Sequence, residues 1–379
     1  MLAALALTLA IHAQSDDAPR LRTLLPNGAV VLVENKPHAT NLILQLAIAD
    51  KNCPETPSTN GERHLMEHLM AKGQHRDIDR RLESHGAFLT AETNRDATVF
   101  TINLKPADLD LGLEAIADIC TMGPESKDDI AKEAEIIREE VALTDDARKF
   151  SVAAWKAAYG DQGLDPMGDP DRIAQITPTE LSDIHHTVFV GENVRLLIEG
   201  DLDLQDATKE ARKVLELIPE ASYKPIYRPK GVAGSATVAV TGEARGALVS
   251  GASQMGTAAS LAAALAIASE VHGCFVTYTP TNENGLILVG KLGDEHDLDR
   301  FIDHAKPDQL FGLGRSLARQ WVVDRESPSE GTVRALMLAG DAASKPEDIL
   351  QNLSEMSVED FRAGFAKFTA GNTVSVMGQ

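Results

Sequence analysis

Residues 29–71 read AVVLVENKPHATNLILQLAIADKNCPETPSTNGERHLMEHLMA, in which two apolar runs precede a helical segment. The runs at 29–34 and 41–49 are rich in β-branched and apolar residues and are separated by a Pro-containing turn, which predicts a pair of strands in one sheet. Residues 62–71 predict a helix. The beginning of the chain therefore indicates a domain that mixes strands with helices.

The same mixed order continues outward from this stretch. Residues 97–104 alternate as a strand does, and residues 193–199 predict another strand. From Lys127 to about residue 150 the acidic opening turn, the apolar spacing near 3.6 and the absence of Gly and Pro predict one long helix. Pro and Gly residues punctuate 225–235, so this segment is the predicted linker between two lobes.

Length and charge limit the classes of protein that the chain can represent. At 379 residues it exceeds the size of a single core, which favours two domains. The net charge of −21 argues against nucleic acid and anionic lipid as partners and favours basic or unfolded peptides. Cys53, Cys120 and Cys274 are widely spaced and odd in number, so neither a disulfide framework nor a thiolate zinc site is indicated.

Residues 1–20 predict a leader segment. The apolar run MLAALALTLAIHA is too short to span a bilayer and ends in small residues, as a secretory signal does. A periplasmic or secreted location follows from this interpretation, and a cytoplasmic location is the alternative because the segment has no basic start. No later segment is long and apolar enough to predict an integral membrane helix.

The pattern His64-Leu65-Met66-Glu67-His68 carries the chemistry that the sequence suggests. His64 and His68 stand at i and i+4, so their imidazoles share one helix face about 5–6 Å apart, with Glu67 on the neighbouring edge. Two neutral imidazoles suit zinc, which needs a third protein ligand and an open position for water in a catalytic site. Glu67 could take a proton from a zinc-bound water and deliver it to the leaving amine of a peptide.

The long helix offers carboxylates for the third ligand: Glu133, Glu135, Glu139 and Glu140. Glu133 and Glu140 are seven positions apart and share one stripe of that helix. The alternative is structural, because a histidine on an amphipathic helix is usually a satisfied packing residue and a Glu-rich helix is usually a solvated face.

The motif HLMEH resembles the inverted His-x-x-Glu-His signature of the pitrilysin/insulinase family of zinc metallopeptidases, in its short, processing-peptidase-like bacterial form. The resemblance covers roughly residues 22–220. The stretches that carry it are VVLVENKPHATNLILQLAI (30–48), LMAKG (69–73), RRLESHGAFLTAETNRDATVFTINL (80–104) and KEAEIIREEVALTDDAR (132–148).

This resemblance implies an α+β fold of two related domains, each with a mixed or antiparallel sheet covered by helices. The limits would be residues 21–224 for the zinc-binding domain and 236–379 for a shortened, diverged second domain. It also implies one zinc ion per chain, with His64, His68 and Glu140 as ligands and Glu133 as the supporting carboxylate. Glu139 is a one-residue alternative for the third ligand.

Substrate binding and partners follow from the same resemblance. Residues Thr90, Ala91, Glu92 and Thr93 occupy the edge strand on which the family binds peptide as an added strand, although Thr90 replaces the usual Asn. The Arg–Tyr pair that the family uses to steady the tetrahedral intermediate has no counterpart, and Tyr278 is the one weak candidate. We therefore expect a homologous partner subunit, in a heterodimer or homodimer, that supplies the pair.

Two hypotheses follow from the sequence. The first is a zinc-dependent endopeptidase or oligopeptidase subunit that hydrolyses flexible peptides, with water activated by Glu67. The second is a catalytically silent structural or assembly subunit of a heterodimer. His185 and His186 are adjacent, point apart on a predicted helix and are interpreted as structural.

Overall fold

The computed structural model describes residues 19–50, 54–73, 77–121, 126–221, 226, 230–250, 254–281, 284–325 and 346–379. Residues 1–18 of the predicted leader lie outside the described residues. Cys53 and residues 225 and 227–229 of the predicted linker lie outside them as well.

Within these residues the chain forms eleven strands and thirteen α-helices. The strands are β1 (Arg20–Leu24), β2 (Val30–Asn35), β3 (Leu42–Ala49), β4 (Phe88–Thr93), β5 (Ala97–Leu104), β6 (Val194–Gly200), β7 (Gly234–Val238), β8 (Gly242–Ser250), β9 (Cys274–Pro280), β10 (Asn284–Leu292) and β11 (Val374–Gly378). The helices are α1 (Glu62–Lys72), α2 (Asp77–Ser84), α3 (Leu109–Thr121), α4 (Lys127–Ala142), α5 (Asp146–Tyr159), α6 (Pro170–Ile173), α7 (Pro178–Val188), α8 (Leu204–Leu215), α9 (Met255–Glu270), α10 (Leu298–His304), α11 (Pro307–Arg325), α12 (Pro346–Glu355) and α13 (Val358–Ala366).

The first sheet has the strand order β1-β2-β6-β3-β5-β4. The predicted strands β2 and β3 lie in this one sheet, but they are not neighbours, because β6 lies between them, parallel to β2 and antiparallel to β3. The reason is that β6 is apolar on both faces, with Leu196 in one core cluster and Leu197 in another, and such a strand is most stable in the middle of a sheet.

Helices cover one face of this sheet and form the larger core. Leu44, Leu46 and Phe100 from the strands pack with Leu65 of α1 and Ile116 of α3, all of them buried. Burying a side chain of this size stabilises the fold by about 2 kcal/mol, so the core anchors α1 firmly on the sheet. The predicted helix at 62–71 is thus a rigid element in the structure.

The second sheet has the order β7-β11-β8-β10-β9. The Ala-rich helix α9 is buried against one face of it, within a core cluster that also includes residues of α11 and α13. The opposite face packs on α5, through Phe150, Trp155 and Tyr159. A helix from the first half of the chain therefore contributes to the core of the second sheet.

The single long helix predicted from residue 127 is wrong, since two helices occupy this segment. Asp145 accepts a hydrogen bond from the backbone N–H of Arg148 at 2.7 Å, and this cap begins α5. The hydroxyl of Thr144 donates to the carbonyl of Val141, which satisfies an acceptor at the end of α4. The break lets α4 face α1 while α5 packs on the second sheet.

The mixed sheets and their covering helices confirm the predicted α+β fold class. Strands β1–β6 form one sheet and β7–β11 the other, whereas the domain limits at 21–224 and 236–379 stay a prediction. Among the residues described, no helix combines the length and the apolar character needed to cross a membrane.

Candidate metal centre

Helix α1 presents two imidazoles to a neighbouring helix. The rings of His64 and His68 lie 4.8 Å apart between centroids, nearly perpendicular to each other. The helix begins after Gly61, which has φ of 97°, and a Cβ at that position would stand 2.4 Å from Cγ1 of Ile173. The carboxylate of Glu55 accepts the backbone N–H groups of Gly61 and Arg63 at 3.0 and 3.1 Å and so caps the first turn.

Helix α4 supplies a carboxylate between these rings. Oε2 of Glu140 lies 3.6 Å from Nε2 of His64 and 3.4 Å from Nε2 of His68. One ligand atom from each of the three residues lies within 4.8 Å of the others. Glu139, the alternative from the sequence, is exposed on α4 and does not belong to this cluster.

The second nitrogen of each ring has its own partner. Nδ1 of His64 lies 3.0 Å from the carbonyl oxygen of Met167, and Nδ1 of His68 lies 3.2 Å from Oε2 of Glu133. Both partners are acceptors, so each Nδ1 can donate its hydrogen to its partner. This arrangement would orient each ring with Nε2 toward a bound ion, as a metal ligand requires.

This donor set fits zinc. Two imidazole nitrogens and one carboxylate match the ligands of catalytic zinc sites, which hold three protein groups and leave a fourth position for water or substrate. The side chains of His64 and His68 are only 9% and 11% exposed, whereas that of Glu140 is 43% exposed, so the cluster opens to solvent on the α4 side. His64, His68 and Glu140 are the residues that would hold the ion.

Glu67 lies on α1 beside the cluster, and its carboxylate is buried. The hydroxyl of Thr93 donates a hydrogen bond to Oε2 of Glu67 at 2.7 Å. Burial raises the pKa of Glu67, while the Thr93 hydrogen bond and the neighbouring His64 and His68 oppose that increase. A carboxylate whose pKa is raised is suited to act as a general base that takes and releases a proton.

Glu133 supports the centre from a position on α4 two turns before Glu140. Burial alone raises the pKa of Glu133, but hydrogen bonds from His68 and Lys72 outweigh burial and lower the pKa below its usual range. Its carboxylate is therefore held in the ionised form beside His68. Like Glu140, Glu133 lies where the sequence predicted it, on the α4 stripe that faces α1.

The predicted peptide-binding residues lie on β4, which ends the strand order of the first sheet. Thr93 points to Glu67, whereas Thr90 and Glu92 are exposed on the opposite face of the strand. Ala91 packs against the core. An edge strand next to a metal site offers backbone groups to an extended peptide.

The sequence analysis did not predict the roles that three groups have at the site. Lys72 stands four residues after His68, so the helical stripe could have identified it. The Thr93 hydroxyl was predicted for substrate and instead contacts Glu67. The carbonyl of Met167 is a backbone group of a distant loop, and no sequence signal indicates it.

Tyr278 and His185 lie apart from this cluster. Tyr278 is on β9 of the second sheet, where its ring packs 6.4 Å from that of Trp321. His185 is buried and stacks on Phe189 at 4.5 Å, as a packing residue does. His186 is exposed, and its Nδ1 lies 2.6 Å from the carbonyl of Ser182.

Comparison with known proteins supports the same interpretation. The sequence profile of Insulinase (Peptidase family M16) matches residues 30–161, which include both histidines, Glu67, Glu133 and Glu140. The chain carries a domain of peptidase family M16. The matched range covers 132 of the 379 residues and ends after α5 and before the second sheet, so the M16 assignment rests on the part of the chain that holds the cluster.

Relatives of the M16 domain bear the names of zinc proteases. An uncharacterized zinc protease of Mycobacterium leprae is 25% identical over 190 residues, which cover 48% of this chain and 43% of that protein. The mitochondrial-processing peptidase subunit beta of Saccharomyces cerevisiae is 28% identical over 228 residues, 57% of this chain and 49% of that protein. The chain thus spans about half the length of the curated relatives it matches.

Solved structures share the fold over nearly the whole chain. A protease from Helicobacter pylori superposes with a TM-score of 0.79 at 17% identity, covering 96% of this chain and 99% of that one. The inactive domain of a peptidase M16 from Pseudomonas fluorescens gives 0.75 at 17% identity, covering 95% and 98%. The periplasmic protease PqqL from Escherichia coli gives 0.72 at 15% identity, covering 95% of this chain and 47% of that one. These identities are low enough that the likeness concerns the fold alone.

Proposed function

We propose that the chain is the zinc-binding subunit of an endopeptidase or oligopeptidase that cleaves flexible peptides. The observation that carries the proposal is the convergence of His64, His68 and Glu140 beside a buried Glu67. If the two histidines were structural and only lay near a solvated Glu, neither Nδ1 atom would need an acceptor. Here both Nδ1 atoms have one.

Each residue has a defined role in this proposal. His64, His68 and Glu140 hold one zinc ion, which when bound lowers the pKa of water and polarises the scissile carbonyl. Glu67 accepts a proton from the attacking water and donates it to the departing amine. Glu133 keeps Nδ1 of His68 protonated, so that Nε2 remains available as a ligand.

The substrate class follows from the edge strand. A peptide that adds to β4 at Thr90–Thr93 is recognised by its backbone, which tolerates many sequences but requires an extended and therefore flexible segment. Peptides with N-methylated nitrogens near the scissile bond should bind more weakly, whereas the same methylation far from that bond should have no effect.

A homologous partner subunit completes the proposed enzyme. Because the ring of Tyr278 packs against that of Trp321, we infer that the Arg–Tyr pair that would steady the tetrahedral intermediate comes from the partner. The relative in Saccharomyces cerevisiae is named as a subunit, and the chain covers 47% of PqqL, in keeping with an assembly of two such units. The PqqL neighbour is described as periplasmic, and together with the apolar run at residues 1–13 this favours export.

The test is zinc content and cleavage of a quenched peptide library by wild-type protein and by Glu67→Gln, each with and without the partner subunit. We expect about one zinc per chain in both proteins and a loss of at least about a hundredfold in cleavage for Glu67→Gln. Glu139→Gln, an equal change on the exposed face of α4, is the matched control and should cleave normally.

The second candidate function is a catalytically silent assembly subunit. The packing of Tyr278 in the second core and the likeness to an inactive M16 domain favour it. Zinc at one per chain without cleavage, in the presence of the partner, would establish this alternative. Absence of zinc, or equal cleavage by Glu67→Gln, would overturn the peptidase proposal.

A further inference from the structure

Lys72 continues the metal-facing stripe of α1. His64, His68 and Lys72 stand at i, i+4 and i+8, so all three side chains face α4. The ammonium of Lys72 forms an ion pair with Oε2 of Glu133, the same oxygen that lies 3.2 Å from Nδ1 of His68. Oε2 of Glu133 thus contacts both the ammonium of Lys72 and Nδ1 of His68.

This contact is well shielded from water. The side chain of Lys72 is 21% exposed and that of Glu133 is 12% exposed. A buried carboxylate requires both a counter-charge and hydrogen bonds, or it takes up a proton or turns toward solvent. In the part of the chain that the structure describes, Lys72 is the lysine or arginine that pairs with Glu133.

We propose that Lys72 is a positioning residue of the metal centre: its ammonium fixes the Glu133 carboxylate on Nδ1 of His68 and thereby strengthens zinc binding by His68. The inference rests on the proposed zinc site. Lys72 acts through Glu133 and touches neither the ligand nitrogens nor the substrate. Its influence should therefore appear in zinc affinity and should disappear when Glu133 no longer carries charge.

An ordinary structural ion pair is the competing explanation. Such a pair would change the free energy of unfolding of the metal-free protein and would leave zinc affinity unchanged. A positioning role predicts instead that zinc affinity changes, and that the effects of the two substitutions on zinc affinity are not additive.

The experiment is the zinc dissociation constant, measured by competition with a chromophoric chelator, for wild type, Lys72→Met, Lys72→Arg, Glu133→Gln and the double variant Lys72→Met/Glu133→Gln. We expect Lys72→Met to weaken zinc binding by about tenfold, in the range measured for supporting groups around zinc. Lys72→Arg should restore most of the affinity. In the Glu133→Gln background, Lys72→Met should have no further effect.

Two controls separate this result from misfolding and from failure of the proposed function. Lys132→Met removes an exposed lysine of α4 that pairs with Asp129, and it should leave zinc affinity unchanged. Thermal unfolding of each metal-free variant reports folding, and Lys72→Arg keeps the inference testable if Lys72→Met does not fold. Wild-type zinc binding without peptide cleavage would overturn the peptidase proposal and leave the role of Lys72 intact.

Three outcomes would overturn the inference. The first is a Lys72→Met variant that binds zinc as tightly as wild type. The second is an equal loss of affinity in the Glu133→Gln background, which would show that Lys72 does not act through that carboxylate. The third is a wild-type protein that binds no zinc, which would remove the metal centre together with the role of Lys72.

Discussion

At the scale of single residues, the environment of Glu67 decides whether it can act as a base. Its carboxylate is buried, and the hydroxyl of Thr93 is the hydrogen-bond donor that reaches Oε2. The hydrogen bond stabilises the ionised form, while burial favours the protonated form. The balance between these effects determines the pH range in which Glu67 accepts a proton.

Thr93→Val should lower kcat/KM for peptide cleavage by about tenfold, since a buried carboxylate loses a hydrogen bond worth about 1.5–3 kcal/mol. Because that hydrogen bond lowers the pKa of Glu67, its loss should move the acid limb of the pH–rate profile to higher pH. Thr121→Val, at the end of α3, is the control and should have neither effect. An unchanged acid limb would contradict the assigned role of Thr93.

His185 should make the stability of the fold depend on pH. Burial, helped by the adjacent His186, lowers the pKa of His185 from 6.5 to about 4. As pH falls, the unfolded chain therefore binds a proton before the folded chain does. The stabilisation from the neutral ring is fully present above pH 6.5 and is lost between pH 6.5 and about 4.

Comparison of wild type with His185→Gln in urea unfolding at two pH values measures this contribution. Between about pH 7 and pH 5, wild type should lose about 2 kcal/mol more unfolding free energy than the variant does. His186→Gln changes the exposed neighbour and should keep most of the wild-type pH dependence, because burial is the larger cause of the lowered pKa of His185. Equal pH dependence in wild type and His185→Gln would refute the prediction.

At the scale of elements, the site is a meeting of two helices and one edge strand. Helix α1 carries His64 and His68 on one stripe, and α4 places Glu133 and Glu140 two turns apart on the facing stripe. Helix α1 packs on the first sheet and α4 packs on α1, and buried residues of both helices belong to one core, so the core fixes their separation. The ligand atoms can then converge without a loop that must order itself first.

Glu55→Ala should weaken both the fold and the metal site. Its carboxylate caps the first turn of α1, and losing that cap should lower the unfolding free energy by about 2 kcal/mol. Because His64 lies in the same turn, zinc affinity should fall as well. The measurements are urea unfolding and chelator competition.

Asp203→Ala is the matched control for this prediction. Asp203 caps α8 by accepting two backbone N–H groups, but α8 carries no residue of the cluster. We expect a loss of about 1 kcal/mol in stability with unchanged zinc affinity. If Glu55→Ala lost stability but kept zinc affinity, capping of α1 would have no bearing on the metal centre.

At the scale of the whole molecule, one helix from the first half of the chain belongs to the core of the second sheet. Helix α5 leaves the first half of the chain and packs on the second sheet through Phe150 and Trp155. The guanidinium of Arg95, in the turn after β4, lies 4.1 Å from the centre of the Trp155 ring. The turn beside the edge strand is therefore linked to the core of the other sheet.

If the chain acts as the proposed peptidase, the net charge of −21 should steer basic peptides to it. Two peptides with the same scissile sequence and either Lys or Glu in the flanks provide the comparison. At low ionic strength kcat/KM for the basic peptide should be higher by about tenfold. The preference should shrink as salt rises from about 0.1 M to about 1 M, where the screening length falls from about 10 Å to about 3 Å.

A preference that is independent of salt would show that contacts within the site, and not the field of the molecule, select the peptide. A neutral peptide of the same length is the control, and its kcat/KM should not depend on salt. This measurement is independent of the Lys72 inference, which concerns zinc affinity alone.

The sequence by itself determined the local parts of the site. The i and i+4 spacing of His64 and His68 fixes one helix face whatever surrounds it, and the seven-residue spacing of Glu133 and Glu140 does the same on the second helix. The resemblance to the pitrilysin/insulinase family then selected Glu140 over Glu139. The structure brings His64, His68 and Glu140 together because a helix converts sequence spacing directly into geometry, and their roles as ligands stay a prediction.

Only the tertiary structure decided what depends on packing between distant segments. The insertion of β6 between β2 and β3 and the departure of α5 to the second sheet follow from the burial of apolar surface, which sequence spacing does not encode. The Met167 carbonyl on His64 and the Thr93 hydroxyl on Glu67 are contacts of the same kind. Their partners are many residues away in the chain, so only the folded core brings them within hydrogen-bonding distance.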